Sequence, residues 1–162
     1  MRVLGIDYGR VRLGLAMSDE DGILATPLPH LRRTRSADAD VRRLVSLATR
    51  NNVGRIVVGL PLQMDGAEGA MAEEARGFAE RIEREAGIPV TLVDERLTSA
   101  EAERVLIEGD VSRKRRKGLR DSLAAVLILQ VDLDRQRTAD GRDPSSEEQD
   151  AATSSPRGAD TP

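Results

Sequence analysis

The chain contains no cysteine and no tryptophan, and only one histidine, one tyrosine and one phenylalanine among 162 residues. Each shortage removes a class of function. Without cysteine there is no disulfide scaffold, no thiolate zinc site and no cysteine nucleophile. His30 is the single histidine, so neither a three-histidine zinc site nor an HExxH helix can be built. A structural or surface role suits His30 better than catalysis. Ser18, Thr98 and Ser99 have no histidine base near them in sequence, and capping or backbone hydrogen bonding explains them better than nucleophilic attack. The scarcity of aromatics argues against a base-stacking platform. No apolar run of about 18 residues occurs, so no membrane span is expected. Val3-Leu4-Gly5-Ile6 is too short an apolar stretch before Asp7 for a secretory signal, and a cytoplasmic location is expected. Neither a GxxxxGK[ST] phosphate loop nor a GxGxxG fingerprint is present.

Charge is plentiful but unevenly spread. The 25 Lys+Arg and 28 Asp+Glu give a formal net charge of -3. Residues 137–162 hold three Arg against six acids, and from Thr138 onward no Val, Ile, Leu, Met, Phe, Tyr or Trp occurs. That segment has nothing to bury and reads as a disordered acidic C-terminal tail. Residues 1–136 carry 22 positive and 22 negative charges and suffice for one domain with a hydrophobic core. A neutral domain does not advertise nucleic-acid binding by net charge, so that case rests on local patches.

The periodicity predicts a mixed α/β domain. Residues 2–8 and 11–17 read as strands joined at Gly9-Arg10, where glycine tolerates positive φ. Residues 23–31 read as a third strand, which Pro27 and Pro29 confine to an edge or bulge. Val41, Leu44, Val45 and Ala48 fall at helical spacing, with Asp38 and Asp40 near the start and Gly54 after the end. Ile56-Val57-Val58-Gly59-Leu60 looks like a buried parallel strand ended by Pro61. Met71, Ala75, Phe78, Ala79, Ile82 and Ala86 mark an amphipathic helix that Gly87 ends. Residues 90–93 form a further short strand. Thr98-Ser99-Ala100-Glu101 resembles a capping box, continued on one helical face by Ala102, Val105 and Leu106. A last helix spans residues 119–133 and is apolar on too many sides to lie on the surface.

Three acidic positions stand out by context. Asp7 ends the first strand, Asp94-Glu95 follows the strand at 90–93, and Asp121 opens the last helix. In an α/β sheet, groups at the carboxyl ends of strands can converge in one crevice. Carboxylates gathered there repel one another unless cations neutralise them, and such oxygens suit hard cations such as Mg²⁺ or Mn²⁺. Read singly, each also fits a bland role: turn former, solvated strand exit, partner of a helix dipole. Gly5 and Gly59 interrupt strands where a backbone or ligand can approach closely. Arg113, Lys114, Arg115, Arg116, Lys117 and Arg120 put six positive charges into eight residues just before Asp121, in a stretch read as a loop between the last two helices. Such a run suits phosphate-backbone contacts. Arg32, Arg33 and Arg35 form a second small cluster, while Arg10, Arg12 and Arg96 flank the acidic positions.

These residues also carry a family resemblance. Gly5-Ile6-Asp7-Tyr8-Gly9, with Arg12, Gly14, Ala16 and Ser18-Asp19, resembles the opening signature of the YqgF-like (RuvX) proteins. Val58-Gly59-Leu60-Pro61 with Gly66, Asp94-Glu95-Arg96-Leu97-Thr98-Ser99 with Ala102-Glu103, and Asp121-Ser122 with Ala124-Ala125 and Ile128-Leu129 resemble its later blocks. The likeness covers residues 1–136. It implies a ribonuclease H-like α/β fold, with a mixed five-stranded sheet whose first three strands are antiparallel. It implies a nuclease of precursor 16S ribosomal RNA or a Holliday-junction-type resolvase, acting in the cytoplasm as a monomer or homodimer. Structured RNA, branched DNA or ribosomal particles would then be its partners.

The resemblance assigns catalysis to Asp7, Glu95 and Asp121, with Asp94 as a neighbouring metal ligand. Asp7 would bridge two Mg²⁺ or Mn²⁺ ions about 4 Å apart, and the basic residues would hold the substrate backbone. Two other classes compete with this expectation. A non-catalytic RNA- or ribosome-binding factor could keep the fold and lose cleavage. Actin-like and sugar-kinase ATPases share an opening like Asp7-Tyr8-Gly9 but need a second lobe, for which this chain is too short.

Overall fold

The computed structural model describes residues 1–97 and 113–141, with the backbone alone for residues 97 and 113–121. Strands β1 (Arg2–Asp7), β2 (Arg12–Ser18) and β3 (Ala25–Arg32) form an antiparallel meander. Helix α1 (Ala37–Arg50) then returns the chain to β4 (Val53–Leu60), which pairs parallel with β1. Helix α2 (Ala70–Ala86) leads to β5 (Val90–Asp94), parallel to β4, and α3 (Arg113–Ala139) closes the fold. The strand order is β3-β2-β1-β4-β5. This is the mixed five-stranded, ribonuclease H-like arrangement that the motifs implied.

Alternation of side chains distributes two cores. Leu4, Ile6, Leu13, Leu15 and Val58 point to one face, where α1 and α2 cover them with Val41, Leu44, Phe78 and Ile82. Val3, Ala16, Val57 and Val93 point to the other, against Ala125, Ile128, Leu129 and Leu133 of α3. Ile56, Val57 and Val58 are fully buried because β4 is covered on both sides, which is why its apolar residues run without interruption. The prolines do place β3 at the sheet edge. Among the described residues no helix is long and apolar enough to cross a membrane.

Several boundaries differ from the sequence reading. Helix α1 starts on Ser36, whose hydroxyl accepts a bond from the Ala39 N–H at 3.2 Å. It ends at Arg50, where the Asn51 side chain donates to the Leu47 carbonyl (2.8 Å) and Asn52 takes a φ of 55°. Asparagine therefore supplies the left-handed turn, and Gly54 lies inside β4 against Met1. At Gly9 the need is space and not positive φ, since a Cβ would sit 2.4 Å from the Arg12 carbonyl oxygen. The basic residues 113–120 belong to α3 and not to a loop, so Asp121 lies two turns inside that helix. Helix α3 also runs on to Ala139, which takes residues 137–139 out of the expected tail. The capping box at Thr98, the helical face of Ala102, Val105 and Leu106, and residues 142–162 lie outside the described residues.

Candidate active site

Strand register builds the site. The residues facing α3 on β1 are Val3, Gly5 and Asp7, and Asp7 is the last of them. Pairing sets Gly14, Asp7, Gly59 and Val93 side by side across β2, β1, β4 and β5. Glu95 opens a 3-10 turn (Glu95–Leu97) directly after β5. Its side chain folds back over Gly59, where an added Cβ would lie 2.6 Å from Glu95 Oε1 and 2.5 Å from Ile128 Cδ1. The missing side chain at position 59 is thus what lets the Glu95 carboxyl reach Asp7 on the neighbouring strand. Burial, the hydrogen bond to Asp7 and the Asp7 charge, with a smaller push from Asp94, raise the Glu95 carboxyl from its ordinary 4.5 to about 9. With the Glu95 carboxyl raised to about 9, the hydrogen-bonded pair keeps a proton between its two carboxyls at neutral pH.

Helix α3 carries Asp121, the third acid singled out in the sequence. Gly5 lets the helix ride close on β1: a Cβ there would be 2.8 Å from Leu129 Cβ and 3.1 Å from the Ala125 carbonyl oxygen. From Gly5 to Asp7 the strand advances about 6.6 Å, and from Ala125 back to Asp121 the helix covers about 6 Å. The helix runs opposite to β1, since Gln130 bonds to Ala25 and Ile23 at the far end of the sheet and Ser122 to Leu28 nearer the middle. Asp121 therefore sits at the level of Asp7, while its side chain lies outside the described residues. Among the described residues no three His, Cys, Asp or Glu side chains gather as a ligand set.

Asp94 points to a different partner. The Arg96 guanidinium donates to both of its oxygens, from Nε at 3.2 and 3.1 Å and from Nη2 at 2.7 Å, and the Arg96 N–H adds a bond at 3.0 Å. The Arg96 hydrogen bonds hold Asp94 below the usual carboxylate range. Arg96 Nη1 also reaches the Met64 carbonyl at 3.4 Å. That contact ties the end of β5 to a small hairpin, closed by the Leu62–Glu68 bridge and turned at Gly66 with a φ of 88°. Ser18 keeps to the backbone, its hydroxyl accepting from the Val3 N–H at 2.8 Å.

A brace behind Asp7 was not legible from spacing. Arg33 sits 5.0 Å from the centroids of both Tyr8 and Phe78. It donates to the Tyr8 hydroxyl (2.8 Å), the Gly9 carbonyl (3.2 Å) and Asp40 (3.2 Å). Burial alone would raise the Asp40 carboxyl, but the Thr34 N–H and hydroxyl, together with Arg33, hold it below its ordinary value. Arg10, expected near substrate, pairs with Glu74 of α2 at 2.8 Å. Arg12 lies opposite Arg32 in the β2–β3 register. The loop that follows Asp7 is thus fastened to α1 and α2 by residues 25 and 64 positions away. No local pattern announces such partners.

A protein-family model described as "RuvX: Holliday junction resolvase" matches residues 1–135. The chain belongs to the RuvX family. Relatives named "Putative pre-16S rRNA nuclease" include one from Endomicrobium trichonymphae, 46% identical over 136 residues, covering 83% of this chain and 96% of the relative. Another, from Myxococcus xanthus, is 44% identical over 140 residues, covering 86% and 92%. Among solved structures, Thermus thermophilus RuvC in complex with Holliday junction substrate is similar, with a TM-score of 0.53 at 22% identity over 88% of this chain and 98% of that one. The large terminase nuclease of thermophilic phage G20c gives 0.52 at 14% identity, over 82% and 81%. At these identities the likeness to RuvC and the terminase is one of fold.

Proposed function

We propose that this RuvX-family chain is a metal-dependent endonuclease that cuts the precursor 16S rRNA near its end. Its class, a hydrolase of phosphodiester bonds, follows from family membership. The observation that carries the metal dependence is the Asp7–Glu95 carboxyl pair, brought together over Gly59 and unable to ionise fully by itself. Two acidic side chains in that state fit a hard divalent cation that would take the place of the shared proton. Mg²⁺ or Mn²⁺ held by Asp7 and Glu95, with Asp121 completing the set, would supply an acidified water and neutralise the phosphoryl oxygens. Asp7 and Glu95 would lose their shared proton when the site loads. Asp94 acts one step removed, fixing the Arg96 guanidinium at the rim where a phosphate could be gripped. The basic turns at residues 113–120 enter α3 immediately before Asp121 and suit the substrate backbone on the other side. Precursor rRNA is favoured over branched DNA by the names of the full-length relatives.

The test is a substrate panel of precursor 16S RNA, generic single- and double-stranded RNA, and a four-way DNA junction. Wild type and Asp7→Asn protein are compared with Mg²⁺, Mn²⁺ or chelator. The expected result is metal-dependent cutting of the precursor that disappears in Asp7→Asn while nucleic-acid binding persists. Preference for the junction would move the activity to recombination. Equal weak cutting by both proteins would leave a non-catalytic binding factor.

A further inference from the structure

A second basic surface lies away from the carboxyls. Between residues 23 and 50 the only acids are Asp38 and Asp40, and both are taken, by Arg81 at 3.2 Å and Arg33 at 3.2 Å. Arg32, Arg35, Arg42, Arg43 and Arg50 are exposed, and among the described residues none of them has a carboxylate within ion-pair distance. Arginines elsewhere, such as Arg10, Arg55, Arg76 and Arg96, are each paired. An unpaired guanidinium cluster of this kind is a surface for a polyanion.

The cluster has a shape as well as a charge. Arg42, Arg43 and Arg50 rim a groove of about 670 Å³ between α1 and the edge strand β3. Leu28, Pro29 and Leu31 form its apolar floor. A volume of this size with apolar walls and a few charged groups matches a small-molecule or nucleotide subsite. An added peptide strand fits poorly, because Pro27 and Pro29 cannot donate along the edge. At its upper end the groove meets Arg32, which stands opposite Arg12 at the end of the sheet that carries Asp7. Along α1, 14 residues long, the surface extends about 21 Å from that end.

We infer that the β3–α1 groove holds a single-stranded flank of the RNA substrate, with a base against Leu28, Pro29 and Leu31 and phosphates on Arg42, Arg43 and Arg50. The inference rests on the nuclease reading above and extends it to substrate that lies beyond the cut. His30 supplies the one ring among the groove's lining residues, the rest of the base packs on aliphatic carbon, and neither contact reads sequence. Phosphate contacts dominate the affinity, so salt weakens it.

The experiment uses full-length protein carrying Asp7→Asn, with and without Arg42→Gln/Arg43→Gln/Arg50→Gln. Fluorescence anisotropy follows its binding to fluorescein-labelled single-stranded RNA across a KCl series, with a long strand of about 20 nucleotides and a short one of about five, and the slope of log affinity against log salt should fall by about two for the long strand only, at ~0.7 per lost contact. A parallel cross-linking arm places 4-thiouridine along the long strand, and adducts are expected on peptides of residues 25–32 and 37–50. An unchanged slope for the long strand, or adducts confined to other peptides, overturns the inference and leaves the groove to an acidic protein segment. The nuclease reading fails separately: it is lost if wild type with Mg²⁺ or Mn²⁺ cuts nothing, whatever the binding slopes show.

Discussion

At the residue scale, Glu95 joins structure to pH. Its folded carboxyl stands at about 9 against an ordinary 4.5. Between those values the folded chain keeps a proton that the unfolded chain has lost, so this group's contribution to stability falls as pH rises through the window. Without divalent cations, wild type should therefore lose Tm between about pH 6 and 9, and Glu95→Gln should flatten that decline while abolishing cleavage. Parallel melting curves for the two proteins would refute the raised carboxyl. Loading the site must expel the proton, so Mn²⁺ affinity should rise toward tenfold per pH unit below about 9. Calorimetry in buffers of different ionisation heat should count about one proton released per site filled.

At the scale of elements, the carboxyl pair depends on the space at Gly59 and on the brace behind β1. Gly59→Ala would drive a methyl into Glu95 Oε1 and Ile128 Cδ1, both ends of flexible side chains that can yield. The overpacking should cost about 1–3 kcal/mol, and the displaced carboxylate should lower cleavage by roughly a hundredfold or more. A variant that cuts at the wild-type rate would show that Glu95 need not cross Gly59.

Arg33→Ala leaves Asp40 fully buried with its guanidinium partner gone, and should cost about 3–5 kcal/mol in urea unfolding. Asp40 is held below its ordinary 3.8, so its stabilisation is complete above that value and lost as pH falls through the folded pKa. The gap between wild type and Arg33→Ala should accordingly narrow in acid. A gap that stays constant to low pH would remove Asp40 from the account.

At the scale of the whole molecule, the buried members of both hydrophobic cores among the described residues lie between Val3 and Leu133. Ending the chain after Gly141 should leave Tm and metal-dependent cleavage at wild-type values, while shifting the formal net charge from -3 to zero, since residues 142–162 hold two Arg and five acids. A large loss of stability would mean that residues beyond 141 complete a core. Much of this architecture was legible beforehand. The edge position of β3 follows from Pro27 and Pro29, the two-sided burial of β4 from its unbroken apolar run, and the end of α2 from Gly87. Such features act through neighbours a few residues apart, so a linear reading reaches them.

The sequence by itself therefore determined the order and type of the five strands and the first two helices, and which acids stood at strand ends, while the basic run it read as a loop is the start of α3. Only the tertiary structure decided that Arg10 serves Glu74, that Arg33 braces Tyr8 and Asp40, that Asp94 holds Arg96, and that Glu95 meets Asp7 over an absent side chain. Those pairings hang on strand register. A slip of one residue turns every side chain of a strand to the opposite face, and no local pattern of residues encodes which distant groups then meet.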